Sequence, residues 1–184
     1  LSHISSKKRN YLEFYKRIFE NSKNFNAVID LGCGVNGFSY EYLRKILGDT
    51  RYFGVEAVGQ LVDLMNVYFD KEKLGKKCIV DYLDLFDIDG VLAILRRATK
   101  PRVVFMFQII DALESLERNF SKRFILEISK ECEKIVISLP LESLGKKKRF
   151  TVQRKWLIDF LEKEFKIEKN FEMSGERVIV VSKN

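Results

Sequence analysis

The chain has 184 residues, of which 46% are hydrophobic and 32% are charged, and its formal net charge is +7. This composition indicates one globular domain with a core large enough to fold without disulfides or metals, and it excludes a disordered or collagen-like chain. Apolar runs fall far short of the roughly 20 residues that a membrane span needs, and no signal-peptide pattern opens the chain. We therefore expect a cytoplasmic protein without a membrane partner.

Cysteine and histidine usage narrows the chemistry. Cys33, Cys78 and Cys132 lie far apart and form no C-x-x-C pair, which is typical of reduced thiols in the cytoplasm and argues against a metal site. His3 is the only histidine. A His-centred catalytic triad or a zinc cluster is therefore not expected.

Segments of helical periodicity alternate with apolar segments of strand length. A basic amphipathic helix is predicted over residues 6–22, where Tyr11, Tyr15, Ile18 and Phe19 recur at helical spacing. Next along the chain we expect strands over 27–31, 51–57, 76–83, 102–107 and 134–139, alternating with helices over 38–47, 59–72, 88–97, 111–132 (one or two helices) and 152–164. Residues 165–173 and 177–183 read as two strands joined by the hairpin signal Ser174–Gly175.

This alternation predicts the fold class. Repeated strand–helix units favour an α/β, Rossmann-like, doubly wound and mostly parallel seven-stranded sheet. The tail closes it with a C-terminal antiparallel hairpin, which an ordinary nicotinamide-binding domain lacks. Residues 1–25 would form a basic N-terminal helix, and residues 26–184 the domain itself.

The segment AVIDLGCGVNGFSYEYL, residues 27–43, carries a ligand-binding signature. Gly32, Gly34 and Gly37 have the G-x-G-x-x-G spacing of a dinucleotide-binding turn. Glycines allow the sharp turn and the close approach of a ligand, and the following helix offers free N–H groups. Glu56, at the end of the second strand, can accept both hydroxyls of a ribose. NAD, FAD and S-adenosylmethionine all fit this pattern, and a turn without a ligand is the alternative.

Three features favour S-adenosylmethionine over a nicotinamide. The chain has no second domain, no usable histidine and no Y-x-x-x-K pair that could serve a dehydrogenase. Asp30, two residues before Gly32, suits a cationic amino-acid moiety and suits a pyrophosphate poorly. Asp84, in DYLDLFD after the third strand, can meet an adenine amino group through its carboxylate or the neighbouring backbone.

These segments resemble the motifs of class I S-adenosylmethionine-dependent methyltransferases, along essentially the whole chain. VIDLGCG is similar to the first motif, YFGVEA to the second and DYLDLFD to the third. The resemblance implies an enzyme that uses S-adenosylmethionine and releases S-adenosylhomocysteine. It implies the cofactor-binding residues Asp30, Gly32, Cys33, Gly34, Glu56, Ala57, Asp84, Leu85 and Gln108. Because a sulfonium methyl group is already activated, such an enzyme needs few ionisable groups.

The segment after the fourth strand, FMFQIIDALESLER, is expected to present the substrate atom, since ligands of such sheets lie beyond the carboxyl ends of the strands. Its polar candidates for catalysis are Gln108 and Asp111, and Asp111 could instead cap a helix. There is no N-P-P-Y or D-P-P-Y signature, which disfavours an adenine amine or a glutamine amide as acceptor. There is no Pro-Cys pair either, which disfavours cytosine methylation through a thiol adduct.

A narrower resemblance appears in three segments. LGCGVNGF is similar to the A-C-G-x-N-P turn of the ribosomal RNA methyltransferases that confer aminoglycoside resistance, and FMFQIIDALE to their L-L-L-K-x-L-x-x-L-E segment. ISLPLESLGKKKRF is similar to their S-F-P-x-x-S-L-x-G-(basic) loop. The resemblance implies methylation of a guanine N7 in small-subunit ribosomal RNA. That family also carries a long N-terminal docking domain, so another RNA or a partner protein that supplies docking are open alternatives.

Basic residues concentrate in two clusters, which indicate a polyanion such as RNA as the partner, although solvated surface lysines would look the same. The predicted RNA-binding residues are Lys146, Lys147, Lys148, Arg149, Arg154, Lys7, Lys8 and Arg9. They would grip backbone phosphates, while base contacts elsewhere provide specificity. The alternatives are a methyltransferase for a small molecule or protein, and a non-catalytic binding module on the same fold.

Overall fold

The computed structural model describes residues 9–22, 24–143, 146–149 and 154–184, with the backbone alone for 142, 143 and 146–149. The strands of this described part are β1 Ala27–Leu31, β2 Arg51–Glu56, β3 Cys78–Tyr82, β4 Arg102–Phe107, β5 Lys134–Pro140, β6 Glu142–Ser143, β7 Lys146–Arg149, β8 Lys166–Met173 and β9 Glu176–Ser182. Its α-helices are α1 Tyr11–Phe19, α2 Tyr40–Leu47, α3 Gly59–Lys71, α4 Ile88–Arg97, α5 Ile110–Leu116, α6 Phe120–Ser129 and α7 Lys155–Glu164. A 3-10 turn, Asn36–Ser39, leads into α2.

One seven-stranded sheet has the order β3-β2-β1-β4-β5-β9-β8. Strands β1 to β5 pair in parallel, and β9 runs antiparallel to both of its neighbours, β5 and β8. This confirms the predicted Rossmann-like fold with its C-terminal antiparallel hairpin. The chain moves outward from β1 to β3 and then returns to β4 on the other side of β1. Sheets of this kind bind ligands at that reversal, beyond the carboxyl ends of the strands.

Helices cover both faces of the sheet, and this explains why β1 is buried along its whole length. Helices α1, α2 and α3 pack on one face through side chains such as Phe14, Leu43 and Met65. Helices α4 to α7 pack on the other face, where Leu95 and Phe124 lie in the core. None of the helices in the described ranges is long and apolar enough to cross a membrane.

The segment 111–132, predicted as one or two helices, is two. Asn119 separates α5 from α6 with a φ of +65°. The carboxylate of Glu114 accepts hydrogen bonds from the backbone N–H groups of Asn119 (2.8 Å) and Ser121 (3.0 Å). The side chain of α5 thus satisfies donors at the start of α6 that lack a partner within the helix.

The basic segment after β5 forms a feature that the sequence did not predict. Strands β6 and β7 pair antiparallel as a separate two-stranded ribbon. Short polar strands such as these have no alternation of hydrophobic and polar residues, so the hydrophobic periodicity of the sequence does not indicate them. Of the helices predicted over 6–22 and 152–164, the described parts are α1 and α7; residues 1–8 and 150–153 lie outside the described residues.

Candidate active site at the carboxyl edge of the sheet

The glycine turn after β1 has two residues in the left-handed region, Gly32 with φ +66° and Gly34 with φ +51°. A Cβ on Gly32 would also lie 2.7 Å from Cγ2 of Ile109, so any side chain there would collide with the start of α5. Gly37 is a glycine for a different reason, because a Cβ at this position would lie 2.6 Å from Cε of Met65 in α3. The first two glycines therefore shape the turn, whereas Gly37 lets α3 pack against it.

Glu56, at the end of β2, is joined to this turn. Its Oε2 accepts a hydrogen bond from the N–H of Gly34 (2.8 Å), and its Oε1 accepts one from the N–H of Val58 (3.0 Å). Each carboxylate oxygen can accept a further hydrogen bond. Glu56 is partly exposed and Ala57 is exposed, so the turn and the carboxylate lie together at an accessible edge of the sheet.

Asp30 lies below the turn and is only 1% exposed. Its Oδ2 accepts hydrogen bonds from the hydroxyl of Tyr52 (2.7 Å) and from Nδ2 of Asn36 (2.7 Å). Burial raises the pKa of Asp30 to about 6, and these two hydrogen bonds oppose the rise. Asp30 therefore holds its proton more tightly than an exposed aspartate does.

Asn36, the asparagine of the segment LGCGVNGF, is not among the predicted site residues but lies beside the glycine turn. While its Nδ2 donates to Asp30, its Oδ1 is buried and has no hydrogen-bond partner in the described part of the chain. A buried acceptor of this kind normally has a donor. Asn36 therefore has a buried, unpaired acceptor beside the glycine turn.

The remaining cofactor candidates are Leu85 and Asp84, which follow β3, and Cys33, which lies within the turn between Gly32 and Gly34. Leu85 is 9% exposed, and its Cδ1 lies 3.9 Å from the Cβ position of Gly32. Asp84 is exposed, and its Oδ1 accepts a hydrogen bond from the N–H of Phe86 (3.0 Å). Cys33 is 5% exposed, and burial raises the pKa of its thiol well above the ordinary range. The Cys33 thiol therefore stays protonated, and a ligand in the turn would meet the backbone of Cys33 or a neutral thiol.

The two substrate-segment candidates have distinct environments. Gln108 is 8% exposed, has a φ of +59°, and donates its backbone N–H to the carbonyl of Ser138 (2.9 Å). Asp111 forms an ion pair with Arg154, whose Nε lies 3.1 Å from Oδ1. Arg154 is 8% exposed and also donates to the carbonyl of Pro140. Contrary to the predicted phosphate contact, its guanidinium group holds the segment after β5 to α5.

Arg9 also departs from its predicted role as an RNA contact. Its Nη2 lies 2.6 Å from both carboxylate oxygens of Glu176, which is fully buried. The guanidinium carbon lies 4.4 Å from the ring centroid of Phe14 and 4.9 Å from that of Phe107. Because these groups enclose the charge, Arg9 is a buried structural cation and is not available to phosphates.

The other predicted RNA-binding residues are not tested by side-chain geometry. Lys7 and Lys8 lie outside the described residues. Lys146, Lys147, Lys148 and Arg149 form β7, of which the backbone alone is described. Their contact with RNA stays a prediction.

The fold has counterparts among solved structures. The 16S rRNA methylase ArmA matches with a TM-score of 0.74 at 21% sequence identity, over 99% of this chain and 87% of ArmA. The 16S rRNA methyltransferase RmtF, solved with S-adenosyl-L-homocysteine, matches with a TM-score of 0.69 at 19% identity, over 99% of this chain and 66% of RmtF. A SAM-dependent methyltransferase from Aquifex aeolicus matches with a TM-score of 0.64 at 16% identity, over 99% of this chain and 98% of the other. Comparisons of the sequence with family models and with curated proteins find no match. The chain has the fold of the class I S-adenosylmethionine-dependent methyltransferases.

Proposed function

We propose that the protein is an S-adenosylmethionine-dependent methyltransferase that acts on RNA. The observation that carries this proposal is the glycine turn at the sheet reversal, where the Glu56 carboxylate is hydrogen bonded to the N–H of Gly34. A nucleoside ligand needs a backbone that it can approach closely and a carboxylate that can accept its ribose hydroxyls. At this edge of the sheet the glycine turn and the Glu56 carboxylate are joined directly by one hydrogen bond.

The residues around the turn fit the parts of S-adenosylmethionine. We propose that Asp30, Gly32, Cys33 and Gly34 hold the methionine end, Glu56 and Ala57 the ribose, and Asp84, Leu85 and Gln108 the adenine and the reacting end. The unpaired acceptor at Asn36 Oδ1 suits an ammonium donor, and Asp30 supplies the negative charge behind it. When bound, the cofactor supplies a methyl group that is already activated on sulfur. The protein then has to align donor and acceptor and exclude water.

RNA is the acceptor class that the chain favours. ArmA and RmtF are both 16S rRNA methylating proteins, and the present chain has a net charge of +7 with the run Lys146–Arg149 in β7. We propose a guanine N7 of small-subunit ribosomal RNA as the acceptor. This nitrogen carries no proton at neutral pH, so its methylation needs no general base. Asp111, held by Arg154, then positions the substrate segment together with Gln108.

We further propose that the protein works in the reducing environment of the cytoplasm. Cys33, Cys78 and Cys132 are free and buried. Burial raises the pKa of Cys78 and of Cys132 to about 12, so both stay protonated thiols. Buried thiols of this kind are poor nucleophiles and act as small apolar side chains.

Transfer of a labelled methyl group tests this function. Small-subunit particles, purified small-subunit RNA, total protein and small-molecule extract are each incubated with the protein and methyl-labelled S-adenosylmethionine, and labelled RNA is digested to locate the modified base. We expect label in RNA, as 7-methylguanine. A Glu56→Gln variant, which keeps the shape but lacks the charge for the ribose, should transfer at least tenfold more slowly under subsaturating cofactor.

Label in total protein or in small molecules, with none in RNA, would contradict the RNA assignment. Label in RNA at another atom would contradict only the guanine N7 assignment. Label on small-subunit particles but not on their purified RNA would indicate that a ribosomal protein supplies part of the docking surface.

A further inference from the structure

Helix α2 and the 3-10 turn before it present a second apolar face to solvent. Tyr40, Leu43 and Leu47 are buried in the core, as in any amphipathic surface helix. On the opposite side, Val35, Phe38 and Tyr42 follow one another at spacings of three and four residues. They are 44%, 42% and 43% exposed, respectively. A run of this kind on a face that is ordinarily polar indicates a binding surface.

The rings on this face are held in fixed orientations. Tyr42 stacks on Tyr11 of α1, with ring centroids 6.3 Å apart and planes 17° apart. Phe38 packs edge-on against Tyr68 of α3, at 4.6 Å and 74°. Both rings therefore have one neighbour that fixes them and are still close to half exposed. We call Tyr11, Phe38 and Tyr42 the aromatic strip.

A positive charge accompanies the aromatic strip. The Lys45 Nζ lies 5.6 Å from the ring centroid of Tyr42. No carboxylate of the described residues lies within ion-pair distance of this ammonium group. An ammonium beside exposed rings suits a ligand that combines planar groups with negative charge, whereas an apolar protein partner would bury the charge at a cost.

The aromatic strip also leads away from the candidate active site. Val35, which precedes Phe38 of the aromatic strip, directly follows Gly34 of the glycine turn. The hydroxyl of Ser39, the residue after Phe38, is hydrogen bonded to the hydroxyl of Tyr15 in α1 (2.6 Å). A strand of substrate that enters the site can therefore run outward over α1 and α2.

We propose that the aromatic strip is a platform on which unpaired bases of the RNA substrate stack, with Lys45 contacting an adjacent phosphate. The inference rests on the proposed RNA methyltransferase function and describes how the RNA substrate would be held next to the active site. Aromatic side chains bind bases irrespective of sequence, because every base has a π face. The surface therefore selects single-stranded over paired RNA and leaves base specificity to other contacts.

Binding of a fluorescently labelled, single-stranded RNA of about 12 nucleotides tests the platform, since one such site typically covers roughly 4–16 nucleotides. Phe38→Leu and Tyr42→Leu keep the apolar packing and remove the rings. Each should weaken binding between about fivefold and a hundredfold. Tyr42→Phe should bind as the parent does, and so should Leu126→Ala, a matched exposed apolar residue on α6, on the other face of the sheet.

Two further readouts separate stacking from charge and from misfolding. An abasic RNA of the same length should bind the parent and the leucine variants equally, because it has nothing to stack. Lys45→Gln should reduce the slope of log affinity against log salt by about 0.7, the value for one phosphate contact on a single strand. Thermal unfolding and S-adenosylmethionine calorimetry confirm that each variant is folded.

Equal RNA affinity of the parent and both leucine variants would overturn the platform. So would a change in sedimentation without a change in RNA binding, which would identify a contact with protein. If the parent itself neither binds nor methylates RNA, the proposed function fails as well. A parent that methylates RNA, with unaffected leucine variants, leaves that function intact and refutes the platform alone.

Discussion

Asp30 is the only ionisable side chain of the buried strand β1, and burial raises its pKa to about 6 from an ordinary value of 3.8. The folded protein therefore holds this proton more tightly than the unfolded chain. Stability contributed by Asp30 is fully present below pH 4 and is lost as the pH rises toward 6. The loss is on the order of 3 kcal/mol at pH 7, at 1.36 kcal/mol for each unit of pKa.

Replacing Asp30 with asparagine should remove this pH dependence. Between pH 4.5 and 7 we expect the free energy of unfolding of Asp30→Asn to gain on that of the parent by about 2 kcal/mol, measured by chemical denaturation at both pH values. S-adenosylmethionine should nevertheless bind the variant more weakly, because the negative charge behind Asn36 is gone. A constant difference in stability across this pH range would show that Asp30 does not titrate there.

The positions of residues could be predicted where the backbone pattern determines them, whereas the partners of long charged side chains could not. Asp30 and Glu56 lie near the carboxyl ends of strands whose periodicity is clear, and Gly34 follows one of these strands, so their position at one edge of the sheet was predictable. Arg9 and Arg154 belong to basic clusters in the sequence, but each is buried against a carboxylate far away in the chain, Glu176 in the case of Arg9. Nothing in the local sequence indicates such a partner.

At the scale of elements, the Arg9–Glu176 ion pair joins the segment before α1 to the start of β9. Removing one partner leaves the other charge buried without compensation. Glu176→Gln should therefore lower the free energy of unfolding by about 3–5 kcal/mol, measured by urea denaturation.

The double variant Arg9→Met/Glu176→Leu supplies the control. It removes both charges and keeps the volume, so it should recover most of the stability lost in Glu176→Gln. If the single variant is as stable as the parent, the ion pair does not hold these elements together. If the double variant is the less stable of the two, hydrogen bonding within the pair outweighs the cost of burying its charges.

The elements themselves followed from hydrophobic periodicity because both faces of the sheet are covered, so that buried strands read as apolar runs. Contacts that cover the edge strands of the sheet could not be predicted from this periodicity. Asn66 of α3 reaches the edge strand β3, where its side chain accepts the N–H of Val80 and donates to its carbonyl, each at 2.9 Å. It protects an open sheet edge, and no spacing rule predicts that a helical asparagine does so.

At the scale of the whole molecule, the helices on the two faces of the sheet carry different groups of candidate functional residues. Helices α1 to α3 pack on the side of the glycine turn where Asp30 is buried, and they carry the aromatic strip. Helices α5 and α7 lie on the other face, where Asp111 and Arg154 tie the substrate segment to the stretch after β5. We infer that cofactor and substrate meet between these groups, above the reversal from β1 to β4.

Isothermal calorimetry with S-adenosylmethionine, on the parent and on Glu56→Ala, tests the central claim most directly. The parent should bind one equivalent. Glu56→Ala should bind at least tenfold more weakly, because the ribose loses a carboxylate acceptor, worth about 1.5–3 kcal/mol for a charged hydrogen bond. Leu126→Ala should match the parent. Absence of binding heat in a folded parent, or undiminished affinity in Glu56→Ala, would contradict the assignment of this turn as the cofactor site.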